Sequence, residues 1–466
     1  MIAAIAALPL VFALVATPLR DRRARRALRI VLAALAALAP TLAAPHLDTL
    51  ARIFVTIVSI LGFLATLSSL DLVAADENGG PFWSRISVYF VLLGAFWSAM
   101  LLVVVAQSFA MVWFGISATT LATAFLVGYA GDDAAIEAAW KYLVLCSLGI
   151  AVALAGVVLL AKAAIDAGIP PGHALAWETL ATLRAHPSPL VHLATALMAV
   201  GFATKAGIAP LHAWLPDAHA KAPAPISALL SGVLVSCALY AVMRTVQAAQ
   251  PWGDAAFLHA LLTWLGAFSV LVAGVLMLVQ RDLKRLLAYS TVEHAGIVVF
   301  ALGVGGTLGV SAALLHVVAH AFSKSGAFFA AGLVLRERGK SAALWSADRA
   351  GRMLLLAFAA LGGLPPFGLF CSELLVAGAA LAAGAWRPLL VAGIGVAFAF
   401  AALAYAALQV DAGRERHALE RRADAGETRL AALAAGAALT LATFAIVLPW
   451  TPLGATLAYA VRGLAR

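Results

Sequence analysis

Apolar runs recur from one end of this sequence to the other, many long enough to cross a hydrocarbon core of about 30 Å. Inside such a core each backbone N–H and C=O must find a partner within the protein. A run that crosses must therefore do so as a helix or as part of a closed barrel. These runs lack the alternation of barrel strands, so the chain reads as an all-α polytopic membrane protein. Composition agrees: 64% of the 466 residues are hydrophobic and 11% are charged, too few charges to cover a soluble protein of this length. The first run, from Met1, lacks a basic leading region, and the basic stretch Arg20–Arg29 follows it. It is expected to stay as a span rather than be cleaved as a signal peptide.

Counting by apolar length gives about fourteen spans. Their limits are near 1–19, 29–44, 50–73, 87–107, 109–128, 139–162, 190–210, 224–247, 256–279, 285–304, 308–335, 352–383, 388–409 and 430–450. Basic residues check the count. With the N-terminus outside, "RDRRARRALR", "QRDLKR", "RERGK" and "GRERHALERR" all fall in cytoplasmic loops, while the opposite loops hold few, Arg52, Arg184 and Arg387 among them. That is the positive-inside pattern, and it puts both termini outside. The net charge of +9 is thereby accounted for by loops, and nucleic acid is not expected as a partner. Residues 163–189 form the one substantial outer loop, and 410–429 are expected to form a short amphipathic cytoplasmic helix.

Cys146, Cys237 and Cys371 lie in apolar runs without CxxC spacing, so neither a disulfide framework nor an iron–sulfur or zinc site is expected. No nucleotide fingerprint appears, and nothing points to NADH or quinone binding by this chain. The expected cofactor list is empty.

Two spans contain breakers: "KAGIAP" late in span seven and "LGGLPPFG" in the middle of span twelve. Broken helices at membrane depth are tolerated where they line protein or a watery cavity. The breaks lie five spans apart, an odd number, so their segments run in opposite directions. This predicts two inverted five-helix repeats, residues 85–248 (spans four to eight) and 249–410 (spans nine to thirteen). Residues 1–84 precede them with three helices, and 411–466 follow with a cytoplasmic segment and the last helix.

The ionisable residues within spans narrow the function. "LLHVVAHAFSKS" sets His316, His320 and Lys324 four residues apart, on one helix face spanning about 12 Å. Lys205 precedes the first break, Glu373 follows the second, and "YSTVEHAG" adds Glu293 and His294. Each charge near the bilayer centre costs roughly 2.5–3.5 kcal/mol on insertion scales. A lone histidine is as well explained by a hydrogen bond to a neighbouring helix. A ladder with a lysine and a carboxylate at its ends reads better as a proton relay. Lys141 and Arg244, at span ends, are expected to snorkel to the interface.

Four stretches, "KAGIAPLHAWLPDAHAKAPAPISALLSG", "LKRLLAYSTVEHAGI", "LLHVVAHAFSKSGAFFAAG" and "LPPFGLFCSELL", resemble the antiporter-like membrane subunits of respiratory complex I, Mrp antiporters and group 4 hydrogenases. The flavour is that of hydrogenase-4 component F, and the likeness covers about residues 85–380. It implies fourteen helices, two inverted repeats and a proton path along a central polar axis. Lys205 matches the span-seven lysine, His316, His320 and Lys324 the span-eleven relay, and Glu373 the terminal acid. One position departs: the family's span-five glutamate, partner of that lysine, is Ser117 here, and Glu137, expected in a cytoplasmic loop, is a poor substitute. An unpaired buried ammonium is costly, so the first switch is expected to be impaired or rebuilt.

The resemblance implies a proton-translocating subunit of a hydrogenase-4-like or complex I-like assembly in a bacterial-type inner membrane. Its partners would be other membrane subunits and a soluble redox module. The alternative is the proton- or cation-conducting half of a two-component transporter, for example for inorganic carbon, with a non-redox partner.

Overall fold

The computed structural model describes residues 2–19, 21–43, 46–73, 85–182, 188–252, 255–338, 349–412, 428–444 and 461. Its α-helices run in the order α1 (Ile2–Ala6), α2 (Leu8–Ala16), α3 (Arg22–Ala43), α4 (Thr49–Leu72), α5 (Arg85–Val105), α6 (Phe109–Val127), α7 (Asp133–Asp166), α8 (Trp177–Thr182), α9 (Pro189–Ala206), α10 (Trp214–Lys221), α11 (Ala224–Leu229), α12 (Val235–Ala249), α13 (Ala256–Leu278), α14 (Leu283–Val304), α15 (Gly306–Arg338), α16 (Arg349–Leu361), α17 (Gly368–Ala382), α18 (Trp386–Ala412) and α19 (Arg429–Phe444). Among the described residues there is no strand, only an isolated bridge between Ser108 and Ala176. Among the described residues eleven helical segments are long and apolar enough to span a membrane, and four shorter apolar ones accompany them. The chain is an integral multi-pass membrane protein.

Acid and hydroxyl caps fix where several spans begin. The side chain of Asp48 accepts from Ala51 N at 3.0 Å. Asp132 does the same for Ala135 N at 2.7 Å and Asp282 for Arg285 N at 2.8 Å. Each satisfies a donor that the first turn leaves open. Small residues then let helices close up. α7 and α9 meet along Gly149, Gly156 and Gly201, where an added Cβ would strike the facing helix.

Burial varies sharply from span to span. The most apolar window of the segment from Ala224 to Trp252 is wholly enclosed by other helices, whereas that of α18 is only 33% buried. Between α11 and α12 the helix widens to a π turn at Leu230–Leu234. There Gly232 lies against Ala321 and Ser325 of α15.

The structure refines several span limits. The first span forms two short helices, Ile2–Ala6 and Leu8–Ala16, parted at Ala7, with Pro9 at the start of the second. Span seven ends at Ala206 and resumes as α10, and span twelve divides into α16 and α17. Glu137 lies inside α7 rather than in a loop, bonded to Lys141 at 2.7 Å one turn later. The expected amphipathic helix at 410–429 falls almost wholly outside the described residues.

The two breaks are built alike. Gly207 and Gly363 hold φ of +75° and +63°, conformations glycine adopts without a Cβ penalty, and each is followed three residues later by the proline of a cis X–Pro peptide. The open backbone groups around the first break find partners elsewhere. Trp214 Nε1 donates to Thr204 O at 2.9 Å, and Ala209 N donates to Ser269 Oγ of α13 at 3.1 Å. Broken backbone thus survives at membrane depth because protein surrounds it.

Candidate functional site

The break after α9 positions Lys205. The lysine lies in that helix's last turn, fully buried. Its Nζ donates to Thr120 Oγ1 of α6 at 2.7 Å and to Tyr142 OH of α7 at 2.6 Å. It also sits 4.5 Å from the Tyr142 ring centroid, and the Cys146 thiol adjoins it. Among the described residues no carboxylate takes part. Ser117 is half-buried and turns its hydroxyl back to Trp113 O at 2.8 Å. The place of the expected acid is filled by two hydroxyls, a ring face and the carbonyl end of α9, each of which favours a cation. Tyr142 in turn bonds the Thr123 hydroxyl, and Thr123 Oγ1 donates to Thr119 O at 2.6 Å.

A second cluster forms where α14, α15 and α17 meet. His316, His320 and Lys324 are all buried on α15, and the two histidine rings stack at 6.5 Å with 14° between their planes. His294 of α14 lies 5.2 Å from the His316 ring and 5.3 Å from the His320 ring. Its Nδ1 is 3.1 Å from His316 Nε2, and His316 Nδ1 is 2.9 Å from Ser372 Oγ of α17. Ser372 donates to Leu369 O at 2.8 Å, so it accepts from His316. Neutral His316 then carries its proton on Nδ1 and accepts from His294 on Nε2, an assignment made from the network.

Lys324 Nζ donates to Leu287 O at 2.9 Å and to the Ser290 hydroxyl of α14. Glu293 is buried beside His294, its Oε2 3.5 Å from that ring and without a hydrogen bond, with Lys324 and Glu373 as charged neighbours. Glu373 itself is half-buried on α17, and its carboxylate folds over the second break, where a Cβ on Gly363 would collide with it. Among the described residues no group of three His, Cys, Asp or Glu side chains is placed to hold a metal. His294, His316 and Ser372 form two hydrogen-bonded steps, whereas His320 Nε2 has no hydrogen bond.

Beside the second cluster lies a residue not singled out from the sequence. His219, on α10, stacks on Phe328 of α15 at 5.0 Å, is fully buried, and has Lys284 and Lys324 as cationic neighbours. Neither of its ring nitrogens has a hydrogen bond. Lys284 donates to Ala220 O at 3.2 Å and to Ala222 O, just beyond the end of α10. Two residues before His219, Asp217 accepts from Lys141 at 3.2 Å and from Arg285 at 2.6 Å, tying α7 and α14 to α10. Tyr142 and Ser372 were likewise unmarked in the sequence. A tyrosine or serine in an apolar run carries no charge to betray a role, and only a partner across helices does so. Arg244 departs from expectation: it does not snorkel but is 3% exposed, bonded to Asp48, Tyr240 and Gln247.

With this geometry in hand, the class is clear: residues 106–399 match the family described as NADH:quinone oxidoreductase/Mrp antiporter, transmembrane, and the chain belongs to that family. A hydrogenase-4 component F homolog of Methylacidiphilum infernorum is 37% identical over 384 residues, covering 79% of each chain. NADH-quinone oxidoreductase subunit N of Desulforudis audaxviator is 39% identical over 207 residues, 43% of this chain and 41% of that one. A chain of the membrane-bound sulfane sulfur reductase, an archaeal respiratory membrane complex, shares the fold with a TM-score of 0.85 at 23% identity, over 100% of this chain and 98% of its own. One from Thermus thermophilus respiratory complex I follows with 0.72 at 25%, covering 98% and 100%. The protein is thus an antiporter-like membrane subunit related to those of complex I, Mrp and hydrogenase-like complexes.

Proposed function

We propose that this chain moves protons through a buried Lys/His/Glu relay within a redox-driven membrane complex of hydrogenase-4 or complex I type. The observation that carries the reading is the run His294–His316–Ser372, with its two bonds of 3.1 and 2.9 Å, one residue short of Glu373. A proton arriving at His294 Nε2 releases the Nδ1 proton to His316, which passes its own Nδ1 proton to Ser372; the serine gives up its hydroxyl proton to Glu373 by turning it away from Leu369 O. Lys324 and His320 feed this step, Glu293 and His294 tune its charge, and His219 bridges back toward Lys205, the gate. Moving one charge against 100 mV takes about 2.3 kcal/mol, which an electrostatic push from a redox module can supply.

The architecture we infer has fourteen membrane segments, with α1 and α2, α9 and α10, α11 and α12, and α16 and α17 each counted as one and the six-residue α8 left out. Residues 85–248 and 249–410 form inverted repeats, between the helices of 1–84 and the segment 411–466. The shared Gly-x-x-Pro geometry at Gly207 and Gly363 supports the pairing. Both termini face outside a bacterial-type inner membrane. Other membrane subunits and a soluble redox module complete the assembly.

Lys324→Ala or Glu373→Ala abolishes coupled proton movement while the protein still folds and assembles. Unchanged pumping in both variants sinks the reading. The lack of a carboxylate at Lys205 gives weight to a second reading, the proton-conducting half of a two-component transporter. Mass spectrometry of what co-purifies in mild detergent separates the two: hydrogenase-like or iron–sulfur subunits favour the first, one large soluble non-redox protein the second.

A further inference from the structure

α10 has one end at Lys205 and the other beside Lys324. Its first residue, Trp214, is fully buried, with its ring 6.0 Å from Lys205 Nζ and 5.1 Å from the Tyr142 ring. Five residues on, about 7.5 Å along the axis, His219 stacks on Phe328 of α15 with Lys324 as a neighbour. A displacement of this one helix therefore reaches both lysines together.

Little within α10 fixes where it sits. Its eight residues are too few to hold a helix by backbone bonds alone. It has no side-chain cap at its start, and at its end Ala222 turns the chain away with a ψ of 150°. Groups outside the helix hold it instead. Near the ends, Trp214 Nε1 donates to Thr204 O at 2.9 Å, Ser227 Oγ of α11 donates to His219 O at 2.9 Å, and Lys284 Nζ donates to Ala220 O at 3.2 Å. In the middle sits Asp217. Its Oδ2 takes Lys141 of α7 at 3.2 Å, and its Oδ1 takes Arg285 of α14 at 2.6 Å.

Two residues turn an α-helix through about 200°, so Asp217 and His219 lie on opposite faces. Fastening the first face seats the second against α15. The side chains of Asp217, Arg285 and Lys141 are 21%, 46% and 47% exposed, and ion pairs so open to water add little to stability. Their use is geometric: one carboxylate shared by two helices fixes the level of a third.

We propose that Asp217 is a positioning residue of the relay: through Lys141 and Arg285 it sets α10, and with it Trp214 at Lys205 and His219 beside Lys324. The inference rests on the relay reading above. Asp217 carries no proton of the path itself. It keeps the two clusters in register, so that a change at one lysine is felt at the other through a single short helix.

The test uses the full-length chain in proteoliposomes, with proton flux driven by an imposed potential, beside thermal unfolding and backbone hydrogen exchange in detergent. Asp217→Asn lowers flux severalfold and speeds exchange across residues 214–221, while the unfolding temperature stays near that of wild type. Asp217→Glu restores most of the flux. Lys141→Gln and Arg285→Gln each do less than Asp217→Asn, because the other partner still holds the carboxylate, and together they match it. Lys162→Gln, which removes an exposed ion pair with Asp166 at the far end of α7, changes nothing. If Asp217→Asn conducts normally while Lys324→Ala does not, Asp217 is only a surface tie and the relay stands. If Asp217→Asn lowers flux with exchange in α10 unaltered, or Asp217→Glu fails to restore it, the positioning role is wrong. If wild-type flux is absent, or indifferent to Lys324→Ala, both ideas fall.

Discussion

His316 and Ser372, 56 residues apart in sequence, meet at 2.9 Å in the buried centre of the molecule. The contact joins the ladder on α15 to the helix that carries Glu373. It also sets the direction of the network, because the serine's own proton is held by Leu369 O.

Removing that hydroxyl is expected to separate the histidines from the terminal acid. Ser372→Ala costs about 1 kcal/mol of stability, the usual net worth of one such bond. It lowers proton flux far more than that figure suggests, since it opens the wire. Ser372→Thr keeps the hydroxyl and most of the flux. Flux in reconstituted vesicles, beside thermal unfolding in detergent, checks the pair.

Lys205 offers a reciprocal experiment. Tyr142→Phe deletes one of its two acceptors and leaves an ammonium donor unmet in a dry site, at about 1–3 kcal/mol. Flux falls. Ser117→Glu on that background supplies a carboxylate from α6 and is expected to recover part of the loss, because Ser117 lies one helical turn from Thr120. No recovery in the double variant argues that Ser117 points away from the lysine in the working protein.

Gly363→Ala meets two obstacles at once: a φ of +63° and the Glu373 carboxylate in the space a Cβ needs. The backbone part alone is worth roughly 1–2 kcal/mol. The variant is expected to assemble with reduced stability and with transport depressed to about the level of Glu373→Ala. A companion Gly378→Ala, in open space, leaves both unchanged.

Asp71 is buried on α4, and it holds two distant elements. It accepts from Arg26 of α3 at 2.6 Å and from Ala431 N, at the start of α19, at 2.9 Å. Asp71→Ala therefore uncaps α19 and frees α3, at about 1 kcal/mol each. Limited proteolysis is expected to release the C-terminal helix first.

Much of this was legible from residue types and spacing. Apolar length marked the spans, and the four-residue ladder on α15 stood out because titratable groups are costly in an apolar run. The breaks announced themselves through glycine and proline. What escaped were neutral or bifunctional groups. His219 lies in the stretch after the first break, yet its burial against Phe328 depends on α10 packing against α7 and α14, which no local pattern encodes. Arg244 looked like an interfacial snorkeller since it ends its span. Its partner Asp48 is 196 residues away, and only tertiary packing pairs them. The substitution at Ser117 was visible, whereas its replacement by Thr120 and Tyr142 required two helices to be brought beside a third.

The enclosure of the segment from Ala224 to Trp252 has a bearing on which sequences this fold admits. α18 leaves most of its surface uncovered by the rest of the chain, so on that outward side nearly any greasy side chain serves. The enclosed segment must look equally greasy to enter the membrane, yet once inside it is judged by shape alone. Its letters are read twice, first by lipid and then by the contours of the helices around it, and a change that satisfies the first reader can still fail the second.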